Sequence, residues 1–250
     1  MINIVIPMAG RGSRFSEAGF KIPKPMIPVF GVPMIKLVIN NLRPQHDHRF
    51  IFLCLRDHMQ EFDLQNKLSE WSPGCEIVVV EEVTDGAACT VLLAEKYIDN
   101  EDQLMIANSD QWIDIDINDY LGKLIEPDLD GLIMTMYAND NKWSFVKLND
   151  LGYVIDVVEK EVISTTATVG IYNFKKGSDF CRYANLMIKK GKKVNGEYYV
   201  APVYLEMIGD RKNIGVYDIG RVGKGMHGLG TPEDLSDFLE CGILNRRGLL

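Results

Sequence analysis

The chain has 250 residues, 46% apolar and 25% charged, a composition that suits one large α/β domain or two small ones. A net charge of −8 argues against nucleic-acid binding, so any site for a polyanion must be a local cluster of cations. No apolar run approaches the ~20 residues that span a bilayer, and Cys54, Cys75, Cys89, Cys181 and Cys241 show neither paired spacing nor histidine neighbours, which points to free thiols in a reducing cytoplasm rather than a metal centre.

An apolar strand is predicted over residues 2–8, and it begins at once, without the pattern of a signal peptide. It runs into Ala9-Gly10-Arg11-Gly12-Ser13-Arg14. Glycines let the backbone approach an anion, successive N–H groups point at it, and arginine forks bind its oxygens. The loop is neither a Walker loop nor the six-residue dinucleotide fingerprint. Pro23-Lys24-Pro25 follows, then Gly31-Val32-Pro33.

Further strands are predicted at 50–55, 75–81, 103–107, 131–137, 144–148, 167–174 and 214–218. Helices are predicted at 34–42, 58–71, 87–98, 117–126, 177–190, 199–208 and 231–244, the last opening with Thr231-Pro232-Glu233. Several strands are near-continuous apolar runs, as expected when helices cover both sheet faces. The first half alternates strand and helix, which builds a mostly parallel sheet through right-handed crossovers. The fold class is therefore α/β, a mostly parallel, mixed Rossmann-like sheet flanked by helices. The expected organisation is a single domain over 1–250, with a nucleotide-binding half at 1–125 and an acceptor-binding half at 126–250.

In an open α/β sheet, ligands sit outside the carboxyl ends of the strands. Three segments are expected to meet there: the glycine loop, the turn at 84–87, and Asn108-Ser109-Asp110. Asp110 stands just past the end of an apolar strand, where a carboxylate can hold Mg²⁺ together with phosphate oxygens and water. Asp114 and Asp116 lie beyond that strand end and read as a surface turn into the next helix.

The stretch at 4–35 resembles the signature of the sugar-phosphate nucleotidyltransferases, a GT-A-like family. It carries the strand, Ala9-Gly10-Arg11-Gly12-Ser13-Arg14, Pro23-Lys24-Pro25 and Gly31-Val32-Pro33 at the family's spacing. The resemblance implies an NTP condensing with a sugar 1-phosphate or similar small phosphate, releasing pyrophosphate. Arg14, Lys24 and Asp110 would be catalytic, with Asp110 the Mg²⁺ ligand. Ala9, Gly10, Arg11, Gly12, Ser13, Glu81, Gly86 and Asn108 would bind the nucleotide. Glu159, Lys160, Gly170 and Glu197 would bind the acceptor.

Relatives often carry glutamine where Glu81 and Glu82 stand. An ionised carboxylate only accepts hydrogen bonds, which favours CTP, then GTP; with both glutamates in solvent, UTP and dTTP stay open. Relatives also place a second metal-binding Asp where this chain has Gly228, so His227 or Asp218 are candidate substitutes. A homodimer, a cytoplasmic location and a role in surface-polysaccharide precursor supply are implied by the resemblance alone. A GT-A-type glycosyltransferase and a non-catalytic sugar-nucleotide sensor are the alternatives.

Overall fold

A computed structural model describes residues 1–126 and 128–248. The strands are β1 (Ile2–Pro7), β2 (Pro28–Val29), β3 (Val32–Pro33), β4 (His48–Leu55), β5 (Glu76–Val80), β6 (Gln103–Ala107), β7 (Gln111–Ile113), β8 (Gly131–Tyr137), β9 (Ser144–Leu148), β10 (Val154–Glu159), β11 (Thr166–Phe174), β12 (Ile214–Val222) and β13 (Gly225–Gly228). The helices are α1 (Ser13–Glu17), α2 (Met34–Leu42), α3 (Arg56–Phe62), α4 (Leu64–Trp71), α5 (Ala87–Leu92), α6 (Glu95–Ile98), α7 (Ile117–Leu124), α8 (Gly177–Lys189), α9 (Val203–Gly209), α10 (Pro232–Cys241) and α11 (Ile243–Arg246).

The main sheet runs β5-β4-β1-β6-β11-β8-β12-β13-β7, with the β9–β10 hairpin attached to β11. β5, β4, β1 and β6 are parallel, as are β8 and β12. β11 runs antiparallel to both β6 and β8 and joins the two halves of the chain in one sheet. The mostly parallel, mixed α/β architecture expected from the alternation is the one observed.

Boundaries differ where local chemistry intervenes. The helix expected at 58–71 is two, because Asp63 adopts a left-handed conformation with φ 51° and turns the chain between α3 and α4. The helix expected at 87–98 likewise divides into α5 and α6. The one expected at 231–244 breaks at Gly242, whose φ of 62° ends α10 with a left-handed cap. α9 starts at Val203 rather than 199, directly after Pro202.

Two buried clusters cover the sheet faces, one under α2, α4 and α7, the other under α5, α8 and α9. A third, smaller cluster matters most for function. Phe15, Ile27, Trp112, Leu229, Leu235 and Phe238 pack together in it. Phe15 follows Arg14, Ile27 lies three residues past Lys24, Trp112 two past Asp110, and Leu235 follows Asp234. Burying these apolar residues from distant segments draws their polar neighbours to one surface.

Candidate active site

That surface holds two adjoining clefts at the carboxyl ends of β1 and β6. The smaller, about 210 Å³, is lined by Gly12, Ser13, Arg14, Lys24, Asp110 and Gly230. Gly12 turns the chain at φ 62° into the single turn of α1, which leaves Arg14 exposed while Phe15 is buried behind it. Lys24 opens a short 3-10 turn whose Pro25 is buried. Its Nζ donates to Asp110 Oδ2 at 2.8 Å, and both side chains are about a quarter exposed (24% and 22%). A cation and a carboxylate separated by 86 residues are thus brought together.

The larger cleft, about 460 Å³, is lined by Arg14, Asn108, Glu159, Lys160, Gly170 and Glu197 among others. Arg14 borders both clefts. Glu159 is buried at 8% exposure and accepts from the Ser144 hydroxyl. Beside it, Thr168 Oγ1 and the Tyr172 hydroxyl share a hydrogen bond of 2.9 Å. Burial pushes the Glu159 carboxyl above its ordinary range, with Glu197 adding to the rise, while Ser144 and Lys160 pull it back. Lys160, in a left-handed conformation at φ 58°, donates from Nζ to the Tyr199 hydroxyl at 2.7 Å and lies over that ring. Lys142 lies over Trp143 in the same way, 5.0 Å from the ring centre.

Gly170 lines the larger cleft. Its φ is +93°, and a β carbon there would come 2.3 Å from Asn108 Nδ2 and 2.9 Å from Gln111 Oε1. Its carbonyl accepts from the Asn108 N–H at 3.1 Å. Gly170→Ala is therefore expected to cost about 2 kcal/mol or more from backbone strain alone and to displace Asn108, read as a lower melting temperature together with lost activity.

The remaining nucleotide candidates divide. Ala9 is buried beneath the loop, while Gly10 and Arg11 are exposed on it. Gly86, at φ +118°, lies against the Tyr198 backbone, where a β carbon would meet both N and O at 2.6 Å. Around it, Tyr198 N–H donates to Asp85 O (2.7 Å), Ala88 N–H to Tyr198 O (3.0 Å), and Lys193 Nζ to Asp85 (2.7 Å). Glu81 stands apart from both clefts, exposed and gripped by both nitrogens of the Arg56 fork. That pairing holds the Glu81 carboxyl below its ordinary range.

Of the proposed substitutes for an acid at 228, neither joins the small cleft. His227 is buried against Trp112 and Phe238, and burial lowers its pKa. Asp218 accepts from the Gly220 N–H and closes its own turn. Asp114 pairs with Arg247, and Asp116 caps α7 by accepting from the Asn118 N–H, so the surface-turn reading of this pair holds. Sequence reasoning missed Ser144, which lines the larger cleft beside Glu159 together with Thr168 and Tyr172 of the strand after it. Their only signal is spacing along β9 and β11, which becomes meaningful once the strands are paired.

A glycine turn and two cations thus stand at the strand ends of an α/β sheet, beside a carboxylate and a second cleft of mixed charge. The chain belongs to the nucleotidyl transferase family, whose model matches residues 4–203. It is 25% identical over 179 residues to the bifunctional protein GlmU of Methanococcus aeolicus, a match covering 70% of this chain and 40% of that protein. The chain thus spans well under two thirds of the length of such relatives. The solved nucleoside-diphosphate-sugar pyrophosphorylase from Vibrio cholerae RC9 superposes with a TM-score of 0.78 at 25% identity, over 95% of this chain and 99% of its own. The inositol-1-phosphate CTP transferase from T. maritima shares the fold with a TM-score of 0.75 at 17% identity, over 99% and 97% of the two chains.

Proposed function

We propose that this protein condenses an NTP with a sugar 1-phosphate, or a similar small phosphate, to give an NDP-linked product and pyrophosphate. The observation that supports this most is Arg14, shared by a small cleft of phosphate-binding character and a larger one with hydroxyl-binding carboxylates. An acceptor phosphate in the larger cleft attacks the α-phosphorus in line. One P–O bond forms to the acceptor oxygen as the bond from the α-phosphorus to the bridging oxygen breaks, and pyrophosphate leaves with the charge. Arg14 and Lys24 neutralise that charge, so catalysis is positioning and electrostatics, with no covalent enzyme intermediate.

Members of the family generally use a divalent metal. Among the described residues no group of three metal-binding side chains converges. That suits Mg²⁺, which takes one or two carboxylates and fills its shell with phosphate oxygens and water. Asp110 fits the role. The missing side chain of Gly230 lets the Asp110 carboxylate come close to the glycine segment, since a β carbon there would lie 2.8 Å from Asp110 Oδ2. Bound at Asp110, Mg²⁺ would supply charge neutralisation on the phosphate oxygens.

Residues 1–125 hold the nucleotide and 126–250 the acceptor in this reading. Gly10, Arg11, Gly12 and Ser13 follow the triphosphate, with Ala9 as the loop's buried anchor. Gly86 and Asn108 flank the nucleoside. Glu81, exposed and paired with Arg56 outside both clefts, gives no preference for CTP, so CTP, GTP, UTP and dTTP are equal candidate donors. Glu159 and Glu197 accept from acceptor hydroxyls, Lys160 holds its phosphate, and Gly170 lines the same cleft. Free thiols and the absence, among the described residues, of a helix long and apolar enough to cross a membrane accord with a cytoplasmic enzyme supplying glycan precursors. A homodimer is expected by resemblance, and sedimentation would show it.

The decisive experiment measures pyrophosphate release with Mg²⁺, crossing CTP, GTP, UTP, dTTP and ATP with a panel of sugar phosphates and phosphoalcohols. Release that requires one NTP and one acceptor together supports the reading. Tight binding of an NDP-sugar without release from any pair would replace it with a glycosyltransferase or a sensor.

Glu159 adds a pH signature. Its raised carboxyl takes up a proton above 4.5, the ordinary glutamate value, and the protonated form loses acceptor capacity. The KM for the acceptor should therefore climb as pH falls through that raised value. Glu159→Gln should raise KM and remove the break from the pH profile of kcat/KM. An unchanged profile would show that Glu159 does not touch the acceptor.

A further inference from the structure

We propose that Asp234, in the first turn of α10, is the second carboxylate of the cation site, standing in for an acid that β13 does not carry at Gly228. The inference rests on reading the small cleft as the site of a metal and a triphosphate. A β carbon on Gly230 would lie 2.8 Å from Asp110 Oδ2 and 4.0 Å from Asp234 Oδ2, so the two carboxylates approach the same glycine. A β carbon on Gly228 would lie 3.3 Å from Asp234 Cγ and 3.5 Å from its Oδ1. Asp234 thus brings its carboxylate to the region that a side chain at 228 would enter.

The placement is held from both sides. Thr231 Oγ1 accepts from the Asp234 N–H at 3.0 Å, and Leu235 beside it is buried in the third apolar cluster. Leu229 N–H donates to the Asp110 carbonyl at 2.8 Å, which ties the glycine segment to the Asp110 backbone. Among the described residues no side-chain cation or donor pairs with the Asp234 carboxylate, although it is half-buried. Lys24 already offsets Asp110 at 2.8 Å, and Asp234 adds a second negative charge beside that pair. A divalent cation between the two carboxylates offsets that added charge. Mg²⁺ accepts one or two carboxylates, either directly or through a retained water.

The test is uptake of Mn²⁺, followed by the EPR signal of the free ion, alone and with inorganic pyrophosphate. Asp234→Asn keeps size and the helix cap but removes the charge. It is expected to weaken Mn²⁺ binding about 10-fold or more, with an unchanged melting curve by circular dichroism. The double variant Gly228→Asp/Asp234→Asn returns a carboxylate from the strand side and is expected to recover most of the lost affinity. Unchanged binding in Asp234→Asn overturns the inference and leaves Asp234 a helix-terminal charge. A loss that the double variant fails to recover, or no uptake by the wild-type protein under either condition, overturns it equally. Pyrophosphate release by the wild-type protein judges the transferase reading separately, so that reading can stand while Asp234 falls.

Discussion

Lys24→Ala is expected to slow turnover about 10²–10³-fold, the usual effect of removing one group that stabilises developing charge. The fold should barely notice. Lys24 and Asp110 are each about a quarter exposed, and an ion pair so placed contributes on the order of 1 kcal/mol or less. The two magnitudes differ enough to be separated. Steady-state pyrophosphate release should collapse, while the melting temperature should shift by less than about 4 °C. A point cation is what the 3-10 turn presents here, so Lys24→Arg, with a longer planar fork, should recover little of the rate. Retention of most of the wild-type rate in Lys24→Ala would remove Lys24 from the catalytic set.

Asp110→Asn is expected to be at least as damaging, because one change acts twice. It removes the carboxylate that would hold the metal, and it strips Lys24 of the partner that fixes its ammonium at 2.8 Å. A loss of about 10²–10³-fold in kcat follows from the first effect alone. Raised Mg²⁺ should not restore it, since an amide oxygen carries no net charge to offset the ion. Uptake of Mn²⁺ should fall in parallel. A variant whose rate returned at high Mg²⁺ would place the metal elsewhere.

The legible parts of this protein were those written in one short stretch. The glycine loop, Arg14 and the Pro23-Lys24-Pro25 turn lie within 17 residues, and their spacing reveals them before any strand is paired. Asp110 was legible because an apolar run ends just before it. β10 was hidden because its pairing with β9 shifts register between Val154 and Asp156, which spoils the alternation that marks a strand. β7 and β13 were hidden by length, at three and four residues, with two glycines in the latter. The division between α3 and α4 falls on Asp63, where neither glycine nor proline announces a left-handed residue. Asp234 was the least legible of all. Its relation to Asp110 exists only through a cluster that gathers Trp112, Leu229 and Leu235 from three elements.

The stitching of the 84–87 turn to Tyr198 has a consequence for what the protein can accept. Ala87, Glu197 and Tyr199 all line the larger cleft, and the three hydrogen bonds around Gly86 bind these segments to one another. The two backbone bonds among them are worth about 2 kcal/mol, so drawing the turn away to admit a bulkier guest would forfeit roughly thirtyfold in affinity. Under the proposed function, the pair of segments would act as a fixed-gauge jaw that sizes the acceptor by width before any charge is matched.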